Sequence, residues 1–175
     1  DAHTWYHKGL THPKGRDSAE AKECFARALQ LNPYLNAARY ALGYHHALTD
    51  LALTARVGLH VGRVTLRENT PAYIALGAIN TEVEGLAMPI TARVMSLARG
   101  GQTLLTAAAR EALATTLIEG TRIESHGHFR LKGIEEPVEV FELGVGDSAP
   151  FFPPADVDKA YRVVRAGSFW RPVRE

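Results

Sequence analysis

The sequence predicts an α/β protein in which a helical segment is followed by a sheet with helices packed on it. Three observations predict this fold class. Apolar residues recur at helical spacing within 17–32, the chain after residue 50 has the order strand, helix, strand, helix and β-hairpin, and prolines within 150–154 mark off a tail. We therefore divide the 175 residues into a helical segment, an α/β domain and a linker with a C-terminal tail, at 1–48, 49–145 and 146–175.

The composition is typical of a soluble globular protein, with 46% hydrophobic and 22% charged residues. The 20 Lys and Arg residues nearly balance the 19 Asp and Glu residues, so we expect no nucleic-acid partner, because a phosphate backbone attracts a large basic surface. Apolar runs are too short to span a bilayer, and no membrane partner is expected. The single cysteine, Cys24, cannot form a disulfide within the chain, which favours the cytoplasm.

The helical segment contains two predicted helices. Asp17 can cap the backbone donors of the longer one, and Glu20 can complete a capping box. Asn32-Pro33 ends this helix, because proline cannot continue it. A shorter helix is expected before it, around residues 5–10. His3 and His7 have no third ligand at a diagnostic spacing, so no metal site is predicted.

Five residues of this segment have the spacing of a known helical repeat: Trp5, Gly9, Ala21, Phe25 and Pro33. Leu42-Gly43 repeats the pattern, with Gly43 34 residues after Gly9. The segment therefore resembles a tetratricopeptide (TPR) repeat followed by the start of a second one. Because about three repeats are normally needed for stability, we expect it to pack on the following domain or on a partner chain. The resemblance implies a groove for a protein partner; a helical cap or dimer contact is the alternative interpretation.

The α/β domain begins with a predicted strand at 56–64. Its residues alternate, and Gly58 and Gly62 indicate the close approach of another backbone. A looser stretch follows at 69–71. The next helix is expected to have Pro89 in its first turn and to end at Gly100-Gly101.

The rest of the domain is predicted as a strand, a helix and a β-hairpin, at 102–105, 107–114, and 128–131 with 138–143. The turn of the hairpin is expected at 132–137. His126 and His128 alternate along the first hairpin strand, so we expect them to share a face.

Several runs of this domain together suggest a family: VGLHVG (57–62), ARVMSLA (92–98), GGQTLL (100–105), LKG (131–133), PV (137–138) and FEL (141–143). In this order they resemble the second half of a class III adenylyl/guanylyl cyclase domain. The resemblance implies a ferredoxin-like half-palm, dimerisation, and nucleotide sites at the dimer interface.

The family's chemistry uses Mg or Mn ions with ATP or GTP, held by two aspartates of the first half of the domain. No strand or hairpin with an aspartate precedes Leu51, so these metal ligands are not found and cyclase activity is not expected from this chain alone.

Three positions correspond by resemblance to the family's site. Arg93 matches the transition-state arginine, Glu82 falls at the base-recognising position, and Lys132 resembles a lysine near the phosphates. The family's asparagine position holds Pro89, which has no amide to orient the ribose. Alternatively, Arg93 pairs with Glu82 or Glu84, and Lys132 is a solvated turn residue.

Three functions remain open. The first is a cyclase-like domain of a cyclic-nucleotide signalling protein, catalytically incompetent alone and acting in dimerisation or partner binding. The second is a fragment of an active nucleotidyl cyclase completed by another half or subunit, and the third is a TPR scaffold. A homodimer or another protein partner is expected. The tail, whose arginines alternate with aromatic and aliphatic residues, is expected to dock back onto a domain or to lead into another.

Overall fold

The computed structural model describes residues 19–20, 34–49, 51–114, 120–146 and 149–173. The TPR signature residues Trp5, Gly9, Ala21, Phe25 and Pro33 lie outside these ranges, as does Cys24. Leu42-Gly43 lies inside them, in a helix.

Four helices and eight strands follow along the described chain. The helices are α1 (Tyr34–Thr49), α2 (Pro71–Ala75), α3 (Ala87–Leu97) and α4 (Ala107–Ala114). The strands are β1 (Val57–Leu59), β2 (Thr65–Glu68), β3 (Thr81–Glu84), β4 (Thr103–Thr106), β5 (Thr121–Leu131), β6 (Val138–Val145), β7 (Ala160–Ala166) and β8 (Phe169–Pro172). Within the described ranges, none of the helices combines the length and apolar content that crossing a bilayer requires.

Six strands form one mixed sheet in the order β1-β4-β6-β5-β7-β8. Strands β1 and β4 are parallel, and the other neighbours are antiparallel. Strands β2 and β3 form a separate antiparallel ribbon, with α2 between them in sequence.

Helices cover both faces of the large sheet. Leu104 packs with Val94 and Leu97 of α3, whereas the next residue, Leu105, packs with Ala38 of α1 and with α4. Successive strand residues point to opposite faces, so one buried strand contributes to two cores. The predicted α/β fold class is confirmed.

Gly58 allows β1 to lie directly against α3. A Cβ at this position would lie 2.7 Å from the backbone nitrogen of Met95 and 2.8 Å from the carbonyl oxygen of Thr91. The close backbone approach predicted from this glycine is confirmed.

The strand predicted at 56–64 is confirmed only in part, because β1 spans Val57–Leu59. Strand β1 ends at Leu59, which pairs with Leu105 of β4. Strand β4 itself ends one residue later, where α4 begins, so β1 has almost no partner strand left beyond Leu59. The chain then turns away to form β2 of the separate ribbon. Strand β3 was not predicted, since its sequence, TEVE, has one apolar residue.

The expectation that His126 and His128 share a face is wrong. The register of β5 on β6 shifts between Ser125 and His128, which marks a β-bulge. His126 consequently packs against the buried Glu142, whereas the ring of His128 lies 4.7 Å from that of Trp170 on the other face.

The tail docks onto the domain, which confirms one of the two expectations for it. Residues after the proline-rich stretch form β7, which pairs with β5, and β8, which pairs with β7. The sheet therefore extends beyond the hairpin on which the sequence prediction ended.

Candidate functional site

Arg93 points from α3 to the turn between β5 and β6. Its Nη2 atom lies 3.9 Å from the position that a Cβ of Gly133 would take. Its Nε atom is buried and has no hydrogen-bond partner among the described residues. A buried donor on a charged group is costly when it is unpaired, so this atom is suited to an acceptor from outside the described chain.

The turn that receives Arg93 also carries Lys132. The Lys132 backbone nitrogen donates to the Lys159 carbonyl at 2.8 Å, and Gly133 adopts φ +80°, a conformation that favours glycine. The Lys132 side chain is exposed. The fold thus brings Arg93 next to the turn with the second predicted cation.

Glu82 lies in the separate ribbon. Its carboxylate accepts from Asn69 Nδ2 at 3.0 Å and from Arg67 Nη2, and the Asn69 hydrogen bond and the Arg67 charge lower the pKa of Glu82. Arg67 Nε donates to Glu84 at 2.6 Å. The alternative in which Arg93 pairs with Glu82 or Glu84 is therefore wrong, because Arg67 binds both carboxylates.

Pro89 is the third residue of α3, and its predicted place in the first turn is confirmed. A backbone N–H at this position has no acceptor within the helix, so proline costs little here. Its ring has no donor or acceptor on the side chain.

The part of the chain that the structure describes contains no group of three or more His, Cys, Asp or Glu residues arranged to hold a metal.

A buried polar cluster was not predicted. Glu142 and Gln102 have no exposed surface, and His126 is 6% exposed. Glu142 Oε2 lies 2.7 Å from Gln102 Nε2 and 2.8 Å from His126 Nε2, and Glu142 Oε1 accepts from the Phe151 backbone nitrogen at 3.0 Å. The only signal in the sequence is an acidic residue between two apolar ones in a predicted strand.

Two histidines bond to threonines at the two ends of β4. His45 Nε2 lies 2.9 Å from Thr103 Oγ1, and His60 Nδ1 lies 2.9 Å from Thr106 Oγ1. Burial lowers the pKa of both histidines, which favours neutral rings.

Comparison with known proteins finds similarity over part of this chain. No family model matches it. Over 93 residues, 52% of the chain, it is 32% identical to a receptor-type adenylate cyclase of Trypanosoma equiperdum. The matched stretch is homologous to adenylate/guanylate cyclases. The chain spans 18% of the length of that relative, so the match corresponds to a small part of it.

Solved structures similar to part of this chain include cyclases. An adenylate cyclase from Trypanosoma brucei, in its monomeric state, matches with a TM-score of 0.43 and 26% identity over 57% of this chain and 40% of that one. The adenylyl cyclase CyaB from P. aeruginosa matches with a TM-score of 0.43 and 12% identity over 75% of this chain and 63% of that one.

Proposed function

We propose that this chain is a cyclase-homology module of a cyclic-nucleotide signalling protein, which forms no product alone and acts by pairing with a second protein chain. The homology supports the signalling class. The observation that carries the proposal is Arg93, whose buried Nε has no partner in the described chain while its guanidinium lies beside the Gly133 turn.

Arg93 and Lys132 are suited to phosphate oxygens. A guanidinium offers charge-assisted hydrogen bonds in a fixed fork, and a lysine adds a mobile point charge. Pro89 cannot orient a ribose, and no strand or hairpin with an aspartate precedes Leu51 in the sequence. Phosphate binding without turnover is the expected outcome for the chain alone, in a cytoplasmic setting. Mg or Mn with ATP or GTP would accompany a site completed by another chain.

The surface we propose for pairing is the arm, defined as residues 64–88 with β2, α2 and β3. Leu66 and Val83 are directly opposite each other in the ribbon, so they share a face, and they are 65% and 45% exposed. Helix α2 buries no residue, and Leu76 just after it is 84% exposed. A two-stranded ribbon is marginally stable alone, and clustered exposed apolar side chains mark interaction surfaces. We propose a second copy of the chain as the partner.

Product formation tests this proposal. The full chain is incubated with ATP or GTP and manganese, and cyclic nucleotide is measured. We expect none above a blank without protein. Cyclic nucleotide that disappears in Arg93→Gln would contradict the proposed lack of turnover.

A second candidate, a fragment of an active cyclase, is favoured by the same unpaired Nε of Arg93. A cyclase half that carries the metal aspartates is added to the assay. Product that depends on Arg93 in the mixture, but not in either half alone, would select this candidate. A TPR scaffold stays a prediction, because its signature residues lie outside the described ranges.

A further inference from the structure

A cleft of about 540 Å³ lies between α1 and the end of β6. This volume is in the range of small-molecule sites, about 300–1,000 Å³. Strand β6 has eight residues, and the Arg93 turn lies before its first one, so the cleft is roughly 25 Å from that turn at about 3.3 Å per residue. The cleft is thus separate from the site proposed for phosphate.

The described residues that line the cleft are mostly apolar and include no Asp, Glu, Lys or Arg. Its apolar side chains are Leu42, Leu53, Leu143, Val145 and Ala149. His45 also lines it, but its Nε2 is hydrogen-bonded to Thr103 and burial lowers its pKa, which favours the neutral ring. Moving an unpaired ion from water into such a site is costly, and the lining therefore favours an uncharged occupant.

A few polar groups interrupt the apolar lining. Thr49 Oγ1 donates to the His45 carbonyl at 3.2 Å, which leaves its oxygen free to accept. Thr54 and His46 add a hydroxyl and an imidazole. These groups suit an occupant with one hydrogen-bonding group on a largely apolar body.

Gly43 forms part of the α1 wall. Glycine destabilises a helix interior relative to alanine. A Cβ at Gly43 would meet nothing within 4 Å, so packing within the described chain does not require a glycine here. An occupant of the cleft would use the space that the missing side chain leaves.

On the opposite wall, Ala149 lies just before a segment that is hydrogen-bonded to the buried polar cluster. Phe151 adopts φ +46°, which is unfavourable for a bulky residue. Its backbone nitrogen donates to Glu142, and Gln102 Nε2 donates to the Phe152 carbonyl at 2.7 Å, so the chain is tied to the buried polar cluster two and three residues after Ala149. A wall formed in advance lowers the ordering cost of binding.

We infer that this cleft binds a small, uncharged, largely apolar molecule that carries one hydrogen-bonding group. The inference does not depend on the proposed cyclase-related function, since it involves neither Arg93 nor the arm.

Methyl NMR on the full chain tests the inference, with indole as an uncharged probe and indole-3-carboxylate as its charged counterpart. We expect indole to shift the Leu42 and Leu143 methyl signals saturably, and the carboxylate to bind at least about tenfold more weakly. Gly43→Phe should weaken indole binding at least about tenfold by filling the cleft, whereas Gly43→Ala should retain it. Val145→Phe, at a 44% exposed position, fills the cleft from the opposite wall. It replaces Gly43→Phe as the filling variant if Gly43→Phe does not fold.

Equal binding of the two probes would overturn the inference. So would indole binding that is unchanged in the folded filling variants, or shifts that map away from the cleft. If sedimentation shows that the filling variants dissociate a dimer while indole does not bind, the cleft is a protein contact and the inference is wrong.

Discussion

Glu142 is a carboxylate without exposed surface that accepts hydrogen bonds from Gln102, His126 and the backbone of Phe151. We predict that Glu142→Ala lowers the free energy of unfolding by about 3–5 kcal/mol, because it leaves buried donors unpaired. Urea denaturation measures this value. Glu139→Ala is the matched control on the same strand: its carboxylate accepts from Ser125 in an exposed hydrogen bond, and we expect a loss below about 1 kcal/mol. Similar losses in both variants would refute the role of the cluster.

At the residue scale, the buried polar cluster around Glu142 could not be predicted from the sequence. Gln102 and His126 are 40 and 16 residues from Glu142, and only the sheet brings them together. Arg93 was identified through resemblance, but its unpaired Nε depends on burial between α3 and the β5–β6 turn. In place of the alternative pairing with Arg93, Arg67 on the neighbouring ribbon strand binds both Glu82 and Glu84.

At the scale of elements, strong local signals in the sequence were sufficient to predict individual helices and strands. Helix α4 was predicted with its observed bounds, and β6 within two residues. Strand β3 and the bulge in β5 were missed for a common reason: each is determined by its partner strand rather than by its own apolar pattern.

The contact of β1 with α3 gives a second prediction. Gly58→Ala should lower the free energy of unfolding by about 1–3 kcal/mol, because its Cβ would collide with backbone atoms that cannot move aside. Gly43→Ala is the control, since the same added methyl group meets open space in a helix; it should raise the free energy by about 0.5–1 kcal/mol. Thermal unfolding compares the two, and a stable Gly58→Ala protein would contradict the close contact.

At the scale of the whole molecule, the sheet and its helices were predictable, whereas the arm was not. Its exposed apolar side chains lack the burial pattern from which a sequence prediction is made. We predict that Leu66→Lys and Leu76→Ser each weaken self-association at least about tenfold. Leu51→Lys is the control, because Leu51 is also exposed, at 63%, but lies outside the arm. Sedimentation velocity over a concentration series measures the effect; a wild-type chain that stays monomeric throughout would contradict the proposed pairing.

The central claim is that Arg93 holds a phosphate contact in a chain that forms no product alone. Calorimetric titration with inorganic tripolyphosphate tests this claim most directly. The wild-type chain is compared with Arg93→Gln and with Arg99→Gln. Arg99 serves as the control position because it is an exposed arginine just beyond the same helix. We predict saturable binding that Arg93→Gln weakens at least about tenfold and Arg99→Gln by less than about twofold. No binding by the wild-type chain, or an equal loss in both variants, would contradict the claim.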